Sequence, residues 1–119
     1  MFKEQPWNEA DATYAIRTIA RSDEFDLFPT AHALEQMGQR NLIMGDVLNA
    51  LKTGFVRRSS TPSTQDGFHK YVVEAITPNS SPREIGVVAI PDHARCHIKV
   101  VTVMWIDETA NVAGSIIGE

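Results

Sequence analysis

Two side chains suited to acid–base and anion-binding chemistry, His32 and Arg40, lie eight positions apart in the stretch TAHALEQMGQR. A histidine exchanges protons near neutral pH, and an arginine holds phosphate or carboxylate groups through its planar set of N–H donors. On a helix, eight residues correspond to about 80° of net rotation, so the two side chains lean toward one side. We predict a cleft with His32 as acid or base, Arg40 as phosphate ligand and Tyr71, on a later strand, orienting the substrate.

Each of these three residues also has a purely structural interpretation, which the sequence leaves open. His32 would then be a helix residue hydrogen-bonded to a strand carbonyl. Arg40 would pair with Glu35 or Asp46 and fix the turn between two helices, an interaction that adds little stability when it is exposed. Tyr71 would be a half-buried strand aromatic whose hydroxyl finds a hydrogen-bond partner.

A second group of residues has the types that contact nucleic acids. Arg57, Arg58 and Lys70 fall on neighbouring predicted strands, Lys99 lies on the last strand, and Trp105 offers a stacking surface. Residues 57–99 carry six basic and four acidic groups between acidic ends, while the whole chain has a net charge of −4. We predict a modest positive face; solvated edge charges and a packing tryptophan are the alternative.

Metal and cofactor chemistry is not indicated. The four histidines and the single cysteine, Cys96, show no close metal-ligand spacing. Cys96 and His97 are adjacent on a predicted strand and would point to opposite faces, so they do not form a nucleophile–base pair. The sequence contains no phosphate-cradling glycine loop. We therefore predict no metal site and no cofactor.

The elements that must position these residues begin with three helices. Asn8 is a helix-capping residue type, and the apolar spacing after it predicts a first helix that ends near Arg21. The acidic stretch SDEFDLFP, residues 22–29, reads as a loop. Further helices are predicted for residues 30–39, with Thr30 as the cap, and for residues 44–52, with Gly54 as a left-handed stop.

Four strands follow the helices, because the apolar period changes from helical to alternating. They are predicted in FVRRS, FHKYVVEAI, EIGVVAI and CHIKVVTVMWI, with the set of Ile98, Val100, Thr102, Met104 and Ile106 facing the helices. Short polar connections favour antiparallel neighbours, since parallel strands need a crossover. The predicted fold class is α+β, a single domain over residues 1–119 with N-terminal helices packed on a four-stranded antiparallel sheet.

The order of several short motifs resembles the family of the domain of unknown function DUF4258. The motifs are His32-x4-Met37-x2-Arg40, Leu42, Asp46-Val47, Ala50-Leu51-x2-Gly54, Tyr71 and VVTV at residues 100–103. The resemblance covers about residues 28–106, which leaves an N-terminal helix and acidic loop (1–27) and a tail (107–119) outside it. Asn41 and Ile43 depart from the family pattern, which has a glycine and a Ser or Thr cap there.

This resemblance implies a small RelE-type toxin of a bacterial toxin–antitoxin pair. The expected activity is metal-independent or ribosome-dependent RNA cleavage by His32, Arg40 and Tyr71, and the expected partners are a cognate antitoxin and RNA or the ribosome. The rival hypothesis is a non-catalytic protein-binding or regulatory module. The absence of an apolar spanning segment predicts a cytoplasmic protein without a membrane partner; the sequence does not indicate the oligomeric state.

Overall fold

Three helices and six strands form an α+β fold in the described part of the chain. The computed structural model describes residues 4–77 and 83–107. The elements are α1 (Glu9–Ala20), β1 (Asp26–Pro29), α2 (Ala31–Gln39), α3 (Met44–Thr53), β2 (Phe55–Val56), β3 (Thr61–Pro62), β4 (His69–Ile76), β5 (Glu84–Asp92) and β6 (His97–Trp105). The predicted α+β class and three helices are therefore confirmed. The predicted tail lies outside the described residues after Asp107.

The helices begin where the capping residue types predict. The Asn8 side chain accepts a hydrogen bond from the backbone N–H of Asp11, and the Thr30 hydroxyl accepts one from that of Ala33. Each cap satisfies an amide that has no partner inside its helix. The helices have 12, 9 and 10 residues, and none of them meets the length and apolarity that a bilayer crossing requires.

The backbone at the end of α3 differs from the conformation predicted for Gly54. Gly54 follows α3 with φ −78° and ψ −179°, so the predicted left-handed conformation is wrong. Glycine is needed there for space, because a Cβ atom would lie 2.6 Å from the carbonyl oxygen of Ala50 and 2.8 Å from that of Glu74. A left-handed residue does follow α2, where Asn41 has φ 55°. An asparagine tolerates this conformation better than most residues.

The sheet differs from the prediction in the number and the direction of its strands. Its strands lie in the order β1-β6-β5-β4-β2, and β3 pairs with β4. The pairing of β1 with β6 is parallel, and the other described pairs are antiparallel. The prediction of four antiparallel strands is wrong because the loop predicted for residues 22–29 contains β1 and the connection between β2 and β4 contains the two-residue β3. The four-residue β1 forms only against β6, far along the chain, so no local pattern shows it.

The helices cover one face of the sheet. The main core contains Val47 and Leu51 of α3, Ile16 of α1, and Ile98 and Val103 of β6, all at most 1% exposed. The predicted facing of β6 holds only for its first half. Val101 is an extra residue opposite the junction of Val88 and Ala89, and this irregularity exchanges the two faces.

After the irregularity, Val103 and Trp105 point toward the helix-side core, while Met104 joins a second cluster that contains no helix residue. Helix α2 also completes the free edge of β6. The Gln36 side-chain oxygen accepts a hydrogen bond of 2.9 Å from the Val103 backbone N–H, beyond the point where β1 ends.

Candidate functional site

The predicted catalytic residues on α2 occupy different environments. His32 lies on the exposed side of the first turn, and its ring makes no hydrogen bond to the described residues. Arg40 is half-buried at the C-terminal cap, where its Nη1 donates to the carbonyl oxygen of Gln36 at 3.4 Å. His32 is accessible to a substrate, whereas Arg40 is tied to its own helix.

The third predicted catalytic residue, Tyr71, belongs to the core. Its side chain is 1% exposed, and its ring lies 5.6 Å from the Trp7 ring in a stacked arrangement. The hydroxyl accepts from the Trp7 backbone N–H at 3.0 Å and donates to Gln5 Oε1 at 3.2 Å. Burial raises the pKa of Tyr71 above its usual 10.0, although hydrogen bonds from Trp7 and with Ser60 oppose the change. The structure does not bring this hydroxyl to an open cleft with His32.

Two of the predicted nucleic-acid-binding arginines are paired with acids. Arg58 Nε lies 3.1 Å from Glu74 Oε2, and Arg57 Nη1 lies 3.6 Å from Glu74 Oε1 and 3.2 Å from Glu84 Oε2. The Glu74 side chain is only 8% exposed, so its charge requires these partners. Lys70 is half-buried on β4 beside β3. The positive charge of Arg57 and Arg58 is therefore largely offset.

The predicted stacking surface, Trp105, is covered. Its residue is 7% exposed, and the Arg83 guanidinium carbon lies 4.2 Å from the ring centroid. Arg83 also makes a bidentate ion pair with Asp107, with both N–O distances at 2.9 Å. In this arrangement an arginine, and not a nucleobase, contacts the indole face.

Lys99 belongs to a cluster that sequence reasoning did not find. The parallel register pairs Asp26 with His97 and Phe28 with Lys99, so the four side chains share one face of neighbouring strands. We call these four residues the β1–β6 cluster. On β5, the other neighbour of β6, Lys99 pairs with Ile90. Ile90 belongs to the second buried cluster, which contains no helix residue. The β1–β6 cluster thus lies on the sheet face opposite the helices.

His97 is the centre of this cluster. Its Nδ1 lies 2.9 Å from Asp26 Oδ2, and its ring stacks on Phe28 with 6.5 Å between centroids. A carboxylate at Nδ1 favours the tautomer with the proton on Nδ1, which leaves Nε2 as a proton acceptor. The His97 side chain is 28% exposed and Phe28 is 52% exposed, so both are accessible. Asp92 flanks His97 from β5.

The arrangement supplies a base and a cation suited to acid–base chemistry on a phosphodiester, and a surface on which a nucleobase can stack. His97 is a base with an oriented ring, Lys99 is a cation two residues along the same face, and Phe28 offers an aromatic surface. The signals in the sequence were the spacings Asp26-x-Phe28 and His97-x-Lys99. They could be joined only by knowing that β1 and β6 are parallel neighbours. Within the described residues, no three His, Cys, Asp or Glu side chains are placed to hold a metal ion.

Comparison with known proteins gives a family match. The family model described as "Domain of unknown function (DUF4258)" matches residues 30–105 of the chain, from the cap of α2 to the end of β6. No curated protein and no solved structure matches the chain. The match includes His97 and Lys99, whereas Asp26 and Phe28 precede it.

Proposed function

The chain belongs to the DUF4258 family, and we propose that it is a metal-independent endoribonuclease of the bacterial toxin–antitoxin type that acts in the cytoplasm. The observation that supports this proposal is the β1–β6 cluster, with an oriented histidine, a cation and an exposed aromatic ring on one face. The likeness to RelE-type toxins and a cognate antitoxin partner belong to the same proposal. His32 is the alternative base, since it is also exposed.

The proposed reaction is transesterification at a single-stranded RNA phosphodiester. His97 Nε2 accepts the 2′-hydroxyl proton while the 2′-oxygen bonds to phosphorus, and Asp26 stabilises the resulting imidazolium. The Lys99 ammonium group neutralises charge on the non-bridging oxygens. The bond from phosphorus to the 5′-oxygen breaks, and water protonates that oxygen. The products are a 2′,3′-cyclic phosphate and a 5′-hydroxyl end, with a base stacked on Phe28.

The test measures cleavage of a single-stranded RNA oligonucleotide by purified wild type and by single variants. His97→Asn should lower the rate roughly 10²–10⁴-fold, because it removes the general base. Lys99→Met should lower the rate without removing the base. Analysis of the product ends checks the cyclic phosphate, and growth after induced expression checks toxicity in cells.

Two further variants locate the base. His93→Asn removes an exposed histidine from the turn before β6 and serves as the matched control, with wild-type cleavage expected. His32→Asn should also cleave like wild type. If His32→Asn alone loses activity while melting like wild type, the base is on α2 and not on β6. If wild type neither cleaves RNA nor impairs growth, the endoribonuclease proposal is wrong.

A protein-binding module is the second candidate function. It is favoured by a specific surface, where the exposed ring of Phe55 carries two arginine guanidinium groups. This surface can serve a binding role with or without catalysis.

A further inference from the structure

An apolar groove lies where α3 ends and β2 begins. The side chains of Phe55 and Ile76 are 49% and 58% exposed and line this groove, which has a volume of about 180 Å³. The rest of its lining combines Thr53, Gly54 and Ala75 with three charged residues, Arg57, Glu74 and Glu84. Exposed apolar side chains that share a groove indicate a binding surface more strongly than isolated ones.

Two arginines contact the exposed ring of Phe55. The guanidinium carbon of Arg17 lies 4.5 Å from the ring centroid, and that of Arg57 lies 5.4 Å from it. Both groups are held in place: Arg17 donates to the carbonyl oxygens of Gly54 and Thr53, and Arg57 donates to Glu84. We call Phe55, Ile76, Arg17 and Arg57 the Phe55 patch.

These guanidinium groups are preorganised for carboxylates. A guanidinium has five N–H donors, and Arg17 uses two of its nitrogens, Nε and Nη2, on the two carbonyl oxygens. Donors therefore remain for a ligand. Since both arginines are already held against the ring, a bound carboxylate would not have to order two flexible side chains.

The charge around the patch also favours an anionic partner, although Glu74 and Glu84 already offset much of the charge of Arg57 and Arg58. Five basic residues are gathered near the end of α3, where Arg17 and Arg21 bind its last carbonyl oxygens, against two neighbouring acids, Glu74 and Glu84. The five are Arg17, Arg21, Lys52, Arg57 and Arg58. This local excess of positive charge contrasts with the net charge of −4 of the whole chain.

We propose that the Phe55 patch binds an acidic segment of a partner protein that carries an apolar side chain. The apolar side chain would enter the groove between Phe55 and Ile76, and neighbouring carboxylates would pair with Arg17 and Arg57. A peptide fits better than RNA, because its few carboxylates can be spaced to meet the arginines and to avoid Glu74 and Glu84, whereas a phosphate backbone carries a negative charge at every nucleotide.

This inference does not depend on the endoribonuclease proposal. β1 and β2 are the first and last strands in the sheet order, so the β1–β6 cluster and the Phe55 patch lie at opposite edges. A partner on the Phe55 patch need not cover the β1–β6 cluster. Loss of binding and loss of RNA cleavage can therefore be produced by different substitutions.

The test is a selection of short random peptides, displayed on phage, by the purified full chain. Peptides that bind Phe55→Ser are removed first. We expect the remaining peptides to contain several Asp or Glu residues around one aliphatic or aromatic residue. Measured by fluorescence anisotropy, synthetic copies should bind Phe55→Ser and Arg57→Gln roughly tenfold or more weakly than wild type.

The matched control is Leu34→Ser, which removes a 48% exposed apolar side chain from α2 and should leave peptide affinity unchanged. Arg57→Gln is preferred to an Arg17 variant because Arg57 does not hold a helix end. Melting curves check that each variant is folded. RNA cleavage by Phe55→Ser should equal that of wild type.

Three results would overturn the proposal. One is no enrichment, or enrichment of peptides without acidic residues. Another is equal peptide affinity for wild type and Arg57→Gln. The third is that Arg57→Gln weakens binding of single-stranded RNA but not of the peptides, which would make the patch an RNA contact.

Discussion

At the residue scale, Gln36 illustrates how a polar side chain becomes buried. It lies in α2 and is only 8% exposed, because its amide oxygen accepts a hydrogen bond from the Val103 backbone N–H, beyond the point where β1 ends. A buried N–H without a partner costs about 1–3 kcal/mol, which explains a polar residue at this position. The helical pattern alone assigns Gln36 to neither face, since the need arises from where β1 ends.

Single residues explain which parts of the candidate site the sequence could predict. His32, Arg57 and Trp105 were selected for residue type, and type does not reveal whether a side chain is exposed or already occupied. Trp105 is covered by an arginine, and Arg57 is paired with acids. The pairing of His97 with Asp26 depends on a non-local strand contact, so no spacing rule could predict it.

Tyr71→Phe should change stability in a pH-dependent way. At neutral pH the substitution should cost about 1–3 kcal/mol, since the buried Trp7 N–H loses its acceptor. Burial raises the pKa of Tyr71 in the folded state, so the unfolded chain loses this proton first. The stability that the neutral phenol provides is complete below about pH 10 and is lost as pH rises through the raised pKa.

Urea unfolding of wild type and Tyr71→Phe at neutral and strongly alkaline pH measures this effect. The stability difference between the two proteins should narrow at alkaline pH, because only wild type has a phenol at position 71 that can lose its proton. Other alkaline titrations occur in both proteins and cancel in the comparison. A difference that stays constant or widens would show that burial does not hold this phenol in its neutral form.

At the element scale, α3 is completed by residues from other parts of the chain. The carbonyl oxygens of Lys52, Thr53 and Gly54, at its end and just after it, accept hydrogen bonds from Arg17 of α1 and from Arg21, which follows α1. Cations are favourable at a helix C-terminus because of the helix dipole. The sequence predicted both helices correctly, but it did not predict that one caps the other, since this depends on how they pack.

The start of α3 is its weaker end. Ile43 stands there in place of the Ser or Thr cap of the family pattern. Asp46 Oδ2 accepts from the Ile43 backbone N–H at 3.0 Å, which is one half of a capping box. The isoleucine side chain has no oxygen for the other half, although its backbone is extended as a cap requires. Ile43 is also 58% exposed, so replacing it sacrifices little apolar burial.

Ile43→Thr should therefore stabilise the protein by about 0.5–1 kcal/mol, because the hydroxyl completes the capping box. Ile43→Val is the matched control, since valine has the shape of threonine without the hydroxyl. Thermal or urea unfolding of both variants measures the difference. Equal stability of the threonine and valine variants would mean that the hydroxyl does not cap α3.

At the scale of the whole molecule, the sheet order decides which surfaces are separate. The prediction of helices first and strands later correctly gave the α+β class, because both apolar periods are local. The position of β1 beside β6, and the extra residue in β6, could not be predicted. Both result from pairing between distant segments, and together they determine the location of the β1–β6 cluster.

The core beneath this sheet provides the last prediction. Val47 in α3 is 0% exposed and belongs to the main core cluster. Val47→Asp would bury a charge at a position surrounded by apolar side chains, and this costs far more than the loss of apolar contacts. We expect this variant to be unfolded or aggregated at neutral pH.

Val47→Ala separates charge from volume at the same position. It removes two methyl groups and should remain folded, with stability lower by about 1–3 kcal/mol. Circular dichroism melting curves of both variants beside wild type measure the contrast. Since the same core supports both edges of the sheet, Val47→Ala should keep the proposed RNA cleavage and the proposed peptide binding at temperatures where it stays folded. A Val47→Asp variant that melts like wild type would mean that α3 does not bury this position.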